Sequence, residues 1–343
     1  MLRNVLQQYP IVQAPMAGVQ GAELAIAVCE GGGIGSLPAA MLSIDALRAA
    51  LEQMQAGTSQ PYNVNFFCHQ NPEPDEQALQ RWLEELNPYY DELAADKNAP
   101  AGPARAPFSA QAQAVLAEFK PALVSFHFGL PGPQLLAGVK SMGTQVLGCA
   151  TSVDEALYLQ AHGADAVIAQ GIEAGGHQGR FLESAQAREL TCLELTREIT
   201  AVTALPVIAA GGIATREHAQ AALSAGAAAV QVGSAYLQAA EAKTSTIHRA
   251  ALQSEAARHT ALTNVFSGRR ARGIVNRFIR EQGPISAIAP AFPLAATAVA
   301  PLRSAAEAQG SGDFSPLWSG ENGYLSQALP AAEITRALHP CKT

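Results

Sequence analysis

A histidine set between glycines is the side chain best suited to chemistry in this sequence. His177 lies in Glu-Ala-Gly-Gly-His-Gln-Gly (173–179), where small neighbours leave its imidazole unscreened. A group that transfers a proton or stabilises charge beside a cofactor needs such access. The alternative is a loop histidine that only hydrogen-bonds the backbone. His127, in Ser-Phe-His-Phe-Gly (125–129), is open to two interpretations, a substrate contact or a satisfied core histidine.

Two glycine-containing pairs predict a phosphate site. Gly211-Gly212 and Gly233-Ser234 each follow a short apolar segment. Glycine lets backbone N–H groups approach an anion closely, and the hydroxyl of Ser234 can add a donor. Glycines that merely turn tight loops are the alternative. Two adjacent pairs after the last two strands of a barrel favour phosphate, which barrels commonly bind at that corner.

Two side-chain amides point to a ring with alternating N–H and C=O groups. Asn65 and Gln170 both end apolar segments, and an amide can donate and accept, which suits a heterocycle such as a flavin. Hydrogen bonds to loop backbone are the alternative. Combined with the phosphate site, they favour a phosphorylated cofactor. A Rossmann-type site is not indicated, because the glycine-rich Gly31–Gly35 precedes a strand and does not open a helix.

Other kinds of site find less support in the sequence. No His, Asp and Glu cluster has metal-ligand spacing, so we expect no metal. The five cysteines (29, 68, 149, 192 and 341) are scattered and predict reduced thiols, and the serine-nucleophile motif GxSxG is absent. The basic cluster Arg269–Ile274 could neutralise an acidic substrate or a cofactor phosphate, or could be a solvated helix start.

Eight apolar segments, most of them 20 to 30 residues apart, must position these side chains. They begin near Ile11, Gly33, Tyr62, Leu123, Gln145, Ala166, Pro206 and Ala228. Their near-continuous apolar character is typical of parallel strands covered by helices, and Ser152 and Thr215 are placed to cap two of those helices. The pattern predicts an α/β fold, a (β/α)8 barrel whose active site lies at the carboxyl ends of the strands.

Two intervals are too long for one strand and one helix. Residues 68–122 predict a helical excursion followed by a mobile Ala- and Pro-rich loop from Ala99, and residues 240–280 are helical in composition. A final capped helix is expected at 329–339. We therefore divide the chain into a barrel at 1–236, an inserted helical substrate or cap domain at 237–315, and a return to the barrel at 316–343.

Composition limits the class of protein. Of the 343 residues, 48% are hydrophobic and 15% charged, which supplies a large core and excludes disorder across the chain. A formal net charge of −7 argues against a dedicated nucleic-acid binder. We find no signal-peptide pattern and no apolar run of about 18 residues, and so expect a soluble cytoplasmic protein without a membrane partner.

Seven segments resemble the nitronate monooxygenase family, particularly its bacterial class I. They are Gln13–Ala17, Asn63–Phe67, Ser125–Gly129, Gln170–His177, Ile208–Ile213, Gln231–Ser234 and Phe266–Gly273. Two of these, around Gly175 and Gly211, also occur in flavin-dependent enoyl reductases and identify the wider group of FMN barrels. The segments at 125–129 and 266–273 are more typical of the class I enzymes.

The resemblance implies a (β/α)8 barrel with a mainly helical insertion, non-covalent FMN, and oxidation of alkyl nitronates such as propionate 3-nitronate. One-electron transfer to the flavin and reaction with O2 would give a carbonyl compound and nitrite. His177 would be the catalytic residue, while His127 stays a candidate substrate contact on the residues alone. The residues implied to bind FMN are Asn65, Gln170, Gly175, Gly212, Gln231, Val232, Gly233 and Ser234. The Ala14-Pro15-Met16 backbone would pass near the flavin ring.

Other functions remain open at this stage. The same fold and cofactor could serve an NAD(P)H-dependent reductase of quinones or enoyl thioesters, and NADH consumption would distinguish it. A non-catalytic barrel that binds FMN or phosphate would be indifferent to loss of His177. A homodimer is also left open, as is a role in detoxification rather than nitrogen recovery.

Overall fold

The computed structural model describes residues 2–73, 75–97, 106–182 and 188–340. Its α-helices are α1 (Leu2–Gln8), α2 (Ala22–Glu30), α3 (Ile44–Gly57), α4 (Glu76–Leu93), α5 (Ala110–Phe119), α6 (Pro133–Ser141), α7 (Val153–Ala161), α8 (Cys192–Val202), α9 (Arg216–Ser224), α10 (Thr246–Leu252), α11 (Arg277–Gln282), α12 (Ala295–Ala308) and α13 (Ala331–Leu338). Its strands are β1 (Ile11–Gln13), β2 (Ser36–Pro38), β3 (Asn63–Phe67), β4 (Leu123–His127), β5 (Gln145–Ala150), β6 (Ala166–Gln170), β7 (Gly176–His177), β8 (Val207–Ala210), β9 (Ala229–Val232), β10 (Thr260–Thr263) and β11 (Ala271–Ile274). Short 3-10 helices cover Ser234–Tyr236, Glu255–Arg258 and Gly323–Leu325.

Eight parallel strands form the central sheet in the order β1-β9-β8-β6-β5-β4-β3-β2. The two end strands are joined by one further parallel bridge, between Val12 and Ile34, so the sheet curves into a nearly closed barrel. Each of the eight apolar segments supplies one of these strands. The predicted (β/α)8 barrel is confirmed, and it directs the carboxyl ends of its strands to one rim.

Helices cover the outside of the barrel, and two of them begin at the caps predicted from the sequence. Ser152 accepts a hydrogen bond from the Glu155 backbone N at 3.2 Å, and Thr215 accepts one from His218 N at 3.3 Å. Both predicted caps are thus present. The expected final helix is α13, which packs against α2 and α9, but Pro330 before it provides no side-chain cap. It occupies the place of the last helix of the barrel, between the first and last strand–helix units.

A second, three-stranded sheet lies beside the barrel in the order β10-β11-β7. Its strands are antiparallel, with Ala271 opposite His177 and Arg272 opposite Gly176. The expectation of helix throughout 240–280 is wrong for β10 and β11. Composition there favours helix, but backbone pairing of β10 with β11 and of β11 with β7 outweighs that weak preference.

A separate hydrophobic cluster joins α4 to the long segment after β9. Trp82 and Tyr90 of α4 are buried with Phe278 and Phe314, and the Tyr90 hydroxyl donates to the Ala298 carbonyl at 2.5 Å. The predicted helical excursion therefore exists and is part of this cluster. The loop predicted from Ala99 lies outside the described residues, and the predicted domain boundaries at 236 and 315 stay a prediction.

In the ranges described, no helix is both long and apolar enough to cross a bilayer.

Candidate active site

One cavity opens at the carboxyl ends of the barrel strands. Its lining includes most of the predicted site residues, namely Asn65, His127, Gln170, Gly175, His177, Gly212, Gln231, Gly233 and Ser234, together with Ala14, Pro15 and Met16. Val232 is the exception, because its side chain is buried in a hydrophobic cluster with Ile11 and Tyr236. Residues from across the chain meet here because parallel barrel strands end at the same rim.

His177 is held at the junction of the barrel and the second sheet. Its Nε2 lies 2.8 Å from the Ser267 hydroxyl, and its ring packs 5.4 Å from the rings of both Phe292 and Trp318. Gly176, immediately before it, has φ +73°, a conformation that glycine adopts without strain. The glycines around His177 therefore serve backbone geometry as well as access to the imidazole.

The backbone around His177 is fixed by side chains from two barrel strands. The His177 carbonyl accepts hydrogen bonds from His127 Nε2 and from Gln170 Nε2, each at 3.1 Å. The Gln170 Oε1 also accepts from Gly179 N at 2.7 Å. Gln170 thus hydrogen-bonds the loop backbone. This was the alternative to its predicted contact with a flavin ring.

These contacts define the protonation state of His127. A carbonyl oxygen can only accept, so His127 Nε2 carries the hydrogen. Burial lowers the pKa of His127 to about 4; the hydrogen bond to the His177 backbone opposes this shift and the charge of Arg269 adds to it. His127 is therefore neutral near pH 7 and places a polar but uncharged ring in the cavity wall.

A buried polar layer lies below the cavity. Asn65 Nδ2 donates to the Ser125 hydroxyl at 3.0 Å and to its carbonyl at 3.2 Å, and Asn63 Nδ2 donates to the same hydroxyl at 2.9 Å. Gln231 Oε1 is buried without a hydrogen-bond partner in the part of the chain that the structure describes. A buried acceptor normally has a donor, so Gln231 is poised to meet one from a bound molecule.

The two glycine pairs meet at one corner of the cavity. Gly211 and Gly212 have φ of +122° and +66°. The Ser234 hydroxyl accepts a hydrogen bond from Gly320 N at 2.8 Å, and Asn322 Nδ2 donates to the Gly212 carbonyl at 2.6 Å. The segment 318–323 therefore closes over the predicted phosphate corner.

Three contributors to the site were not identified from the sequence. Ser267 contacts His177, Asn322 contacts Gly212, and His248 lines the cavity. Ser267 lies in Phe266–Gly273, a segment noted for its family resemblance, and Asn322 lies in the segment predicted only as the return to the barrel. These residues lie far along the chain from the strands that carry the rest of the site, so their contacts with it cannot be predicted from sequence position.

The basic cluster has partners within the protein. Arg269 lies over the Phe128 ring at 4.0 Å and donates to the Arg180 carbonyl at 2.5 Å. Arg270 pairs with Glu189. The third member, Arg272, pairs with Glu321 at 3.1 Å and donates to the Ile172 carbonyl at 2.9 Å. Within the described ranges these arginines lie outside the cavity lining, and a role in neutralising an acidic substrate or a phosphate stays a prediction.

Comparison with known proteins places this geometry in a family. The family model for nitronate monooxygenase matches residues 1–340. A nitronate monooxygenase of Paraburkholderia phytofirmans is 41% identical over 96% of this chain and 91% of that protein. One from Pseudomonas aeruginosa is 40% identical over 96% of this chain and 95% of its own length. The chain belongs to the nitronate monooxygenase family.

Membership confirms the resemblance of the seven segments. As a member of this family, the protein is an enzyme, an oxidoreductase that acts on nitronates. Enzymes of this family depend on flavin in general. The crystal structure of a nitroalkane oxidase from Streptomyces ansochromogenes is similar to it, with a TM-score of 0.86 and 37% identity over 96% of this chain and 94% of that one. The overall fold is thus shared with a solved relative.

Proposed function

We propose that this enzyme is an FMN-dependent nitronate monooxygenase that converts alkyl nitronates, including propionate 3-nitronate, with O2 into a carbonyl compound and nitrite. The observation that carries the proposal is the union, in one cavity, of His177, the buried acceptor of Gln231 and the glycine corner around Gly212. The family supplies the reaction class, and the cavity residues suit a phosphorylated flavin.

The glycine corner has the dimensions of a backbone cradle. A Cβ on Gly175 would lie 2.4 Å from Gly320 N and 3.1 Å from the Ser234 hydroxyl, so any larger residue would fill the corner. The backbone N–H groups of Gly212 and Gly233 and the hydroxyl of Ser234 would hold the phosphate. No lysine or arginine is needed for that contact when several N–H dipoles converge on one anion.

The ring of the flavin would lie between the amides and His177. The unpartnered Gln231 Oε1 can accept from a ring N–H, while Asn65 and Gln170 border the same space. Val232 would contribute through its backbone alone, because its side chain is buried in the cluster behind the strand. When bound, the flavin supplies an acceptor for one electron from the nitronate, and O2 then completes the oxidation.

The protein's own task is to bind and orient an anion that is already electron-rich. Among the described residues, the cavity lining holds no Asp or Glu that would repel it. His177 can stabilise the charge of the nitro group, and the rings of Phe292 and Trp318 beside it limit access of water. With a neutral nitroalkane, His177 would have the further task of removing the carbon-bound proton as general base.

The test is the visible spectrum of the purified protein without oxygen, before and after addition of propionate 3-nitronate. We expect an oxidised flavin spectrum that changes on addition, and nitrite with O2 consumption once air is admitted. The flavin released by heat should be FMN. A flavin spectrum indifferent to nitronate but bleached by NADH would contradict the proposal and favour a reductase. Protein without any flavin would contradict the cofactor assignment itself.

A further inference from the structure

The segment 318–323 borders the cavity from outside the barrel, and we call it the closing segment. Its residues in the cavity lining are Trp318, Gly320, Asn322 and Gly323. Only its ends have regular structure, a bridge between Trp318 and Gly273 and a short 3-10 helix that begins at Gly323. The position of its middle therefore depends on individual hydrogen bonds to other elements.

One of these hydrogen bonds reaches the phosphate corner. The Gly320 N–H donates to the Ser234 hydroxyl at 2.8 Å, and the next N–H, of Glu321, donates to the Glu173 carbonyl at 3.1 Å. A Cβ on Gly320 would lie 2.8 Å from the same carbonyl, so the fit is close. Because the oxygen of Ser234 accepts the bond from Gly320, its own proton is left to donate to an anion in the corner.

Arg272 connects the closing segment to two other parts of the protein. It is 7% exposed, and its own carbonyl accepts from Ser319 N at 3.2 Å. Its guanidinium donates to the Ile172 carbonyl at 2.9 Å and to the Thr260 hydroxyl at 3.1 Å, and it pairs with Glu321 at 3.1 Å. Arg272 thus joins the closing segment to β10 and to the loop that follows β6.

The ion pair fixes the closing segment on both sides of Gly320. Burial lowers the pKa of Arg272, and the carboxylate of Glu321 opposes this shift. A largely buried guanidinium is strongly destabilised without its partners. Arg272 therefore keeps Glu321 in place, although the carboxylate side chain is itself 46% exposed.

We propose that Arg272 and Glu321 are positioning residues for the phosphate of the cofactor. Their ion pair fixes Gly320, and Gly320 orients the Ser234 hydroxyl towards the phosphate. The inference rests on the proposed function, which puts the phosphate of FMN at the Ser234 corner. As far as the structure describes the chain, neither charged side chain is part of the cavity lining, so both act through Gly320.

The charge of Glu321 separates this role from simple attraction or repulsion. A carboxylate near the corner repels a phosphate dianion. If charge alone mattered, removal of this carboxylate would tighten the binding of FMN. Positioning predicts the opposite, because loss of the ion pair releases Gly320 and with it the orientation of Ser234.

The test compares two flavins that differ only in the phosphate. Protein stripped of cofactor is titrated with FMN and with riboflavin, and the dissociation constants are read from flavin fluorescence for wild type, Glu321→Ala and Glu321→Gln. Glu189→Gln is the matched control. Glu189 pairs with Arg270, and its charge also acts on Arg272, but Arg272 is not its ion-pair partner.

We expect Glu321→Ala to weaken FMN roughly two- to fivefold, as for a partly exposed ion pair, and to leave riboflavin unchanged. Glu321→Gln retains an acceptor for Arg272 and should lose less. The control should bind both flavins as wild type does. In a Ser234→Ala background, Glu321→Ala should cause no further loss, because its effect passes through that hydroxyl.

Other outcomes would overturn the proposal. Tighter FMN binding in the Glu321 variants would assign the effect to charge repulsion. Equal weakening of both flavins would assign it to packing, and no change in either would exclude positioning. A full further loss in the Ser234→Ala background would show that the ion pair does not act through Ser234. A wild-type protein that binds neither flavin would instead contradict the proposed function.

Discussion

His127 is hydrogen-bonded to the backbone carbonyl of His177, but the two imidazole rings have different surroundings. The His177 ring faces the Ser267 hydroxyl and two aromatic rings, whereas the His127 Nε2–H donates a hydrogen bond to the backbone carbonyl of His177. His127 is neutral and engaged, and so acts on the site by holding the loop. In the function we propose, proton transfer is therefore assigned to His177.

Replacement of His177 should separate two kinds of substrate. We expect His177→Asn to lower kcat/KM for a neutral nitroalkane by about 10²- to 10⁴-fold, because the general base is lost. Turnover of a preformed nitronate should fall much less, since no carbon-bound proton has to be removed. Parallel assays of nitrite release from the two substrates check this. An equal loss for both would assign His177 to binding rather than to proton transfer.

His127 should make the stability of the protein depend on pH. Its pKa is about 4 when folded against an ordinary value of 6.5, so the unfolded chain binds more protons between these values. Stability is then present above pH 6.5 and lost as pH falls towards 4, by at most about 3 kcal/mol from this residue.

Denaturant unfolding at pH 7 and pH 4.5 measures this effect. The fall in unfolding free energy should be smaller in His127→Gln than in wild type. His259→Gln, which alters an exposed histidine, is the control and should leave the fall unchanged. A pH response in His127→Gln that matches wild type would show that His127 is not the source.

The sequence predicted individual site residues where chemistry and position coincide. His177, Gln170 and Ser234 follow apolar strands, and the barrel rule places strand ends at the active site. Ser267 and His248 could not be found that way, because each belongs to a segment whose place is set by packing. Their side chains enter the site from outside the barrel.

The loop after β7 is tied to the barrel by one buried carboxylate. Glu155, at the start of α7 and 1% exposed, accepts from the backbone N and hydroxyl of Thr151 at 2.6 and 2.9 Å. Its other oxygen accepts from Phe181 N at 2.6 Å and Leu182 N at 3.0 Å. One side chain thereby joins the end of β5 to the loop that follows His177.

Neutralising Glu155 should therefore destabilise the fold. Glu155→Gln replaces one acceptor oxygen by an NH2 group that faces backbone donors, and we expect a loss of about 2–4 kcal/mol in unfolding free energy. Asp154→Asn removes the same charge one residue earlier, where the side chain is exposed, and should cost about 0.5 kcal/mol. Chemical denaturation of both variants measures these losses in unfolding free energy. If both variants lost the same unfolding free energy, the cause would be the net charge near the start of α7 and not the hydrogen bonds of Glu155.

Elements were predictable to the extent that their pattern is local. The eight barrel strands are apolar runs separated by capped helices, and both features can be read in short windows. The strands β10 and β11 were missed because the composition of this region favours helix, although the two strands pair with each other along their full length and lie close together in the chain. In addition, β11 pairs with Gly176 and His177, about a hundred residues earlier. No short window contains that partner.

The molecule as a whole has a second core outside the barrel, built from distant parts of the chain. Trp82 is fully buried there, 6.2 Å from the Phe278 ring. We expect Trp82→Ala to lower the unfolding free energy by about 3–5 kcal/mol through lost burial and the resulting cavity. Ile285→Ala, at a side chain 52% exposed, should change it by less than about 0.5 kcal/mol. Thermal and denaturant unfolding of the two variants compare them directly.

Trp82→Phe refines this comparison. The indole Nε1 of Trp82 is buried without a hydrogen-bond partner in the described part of the chain, so phenylalanine removes an unsatisfied donor along with some volume. Its cost should therefore be clearly smaller than that of alanine. A phenylalanine variant as unstable as the alanine variant would show that shape, not burial, governs the cluster.

The contact between Tyr90 and Ala298 spans 208 residues of chain. A ribosome adds roughly 5–20 residues per second, so α4 would wait on the order of 10–40 s for its partners to be made. During that time the apolar face of α4, with Trp82 and Tyr90, has only the nascent barrel or a chaperone to shelter it. The second core can thus be completed only after Ala298 and Phe314 have been synthesised.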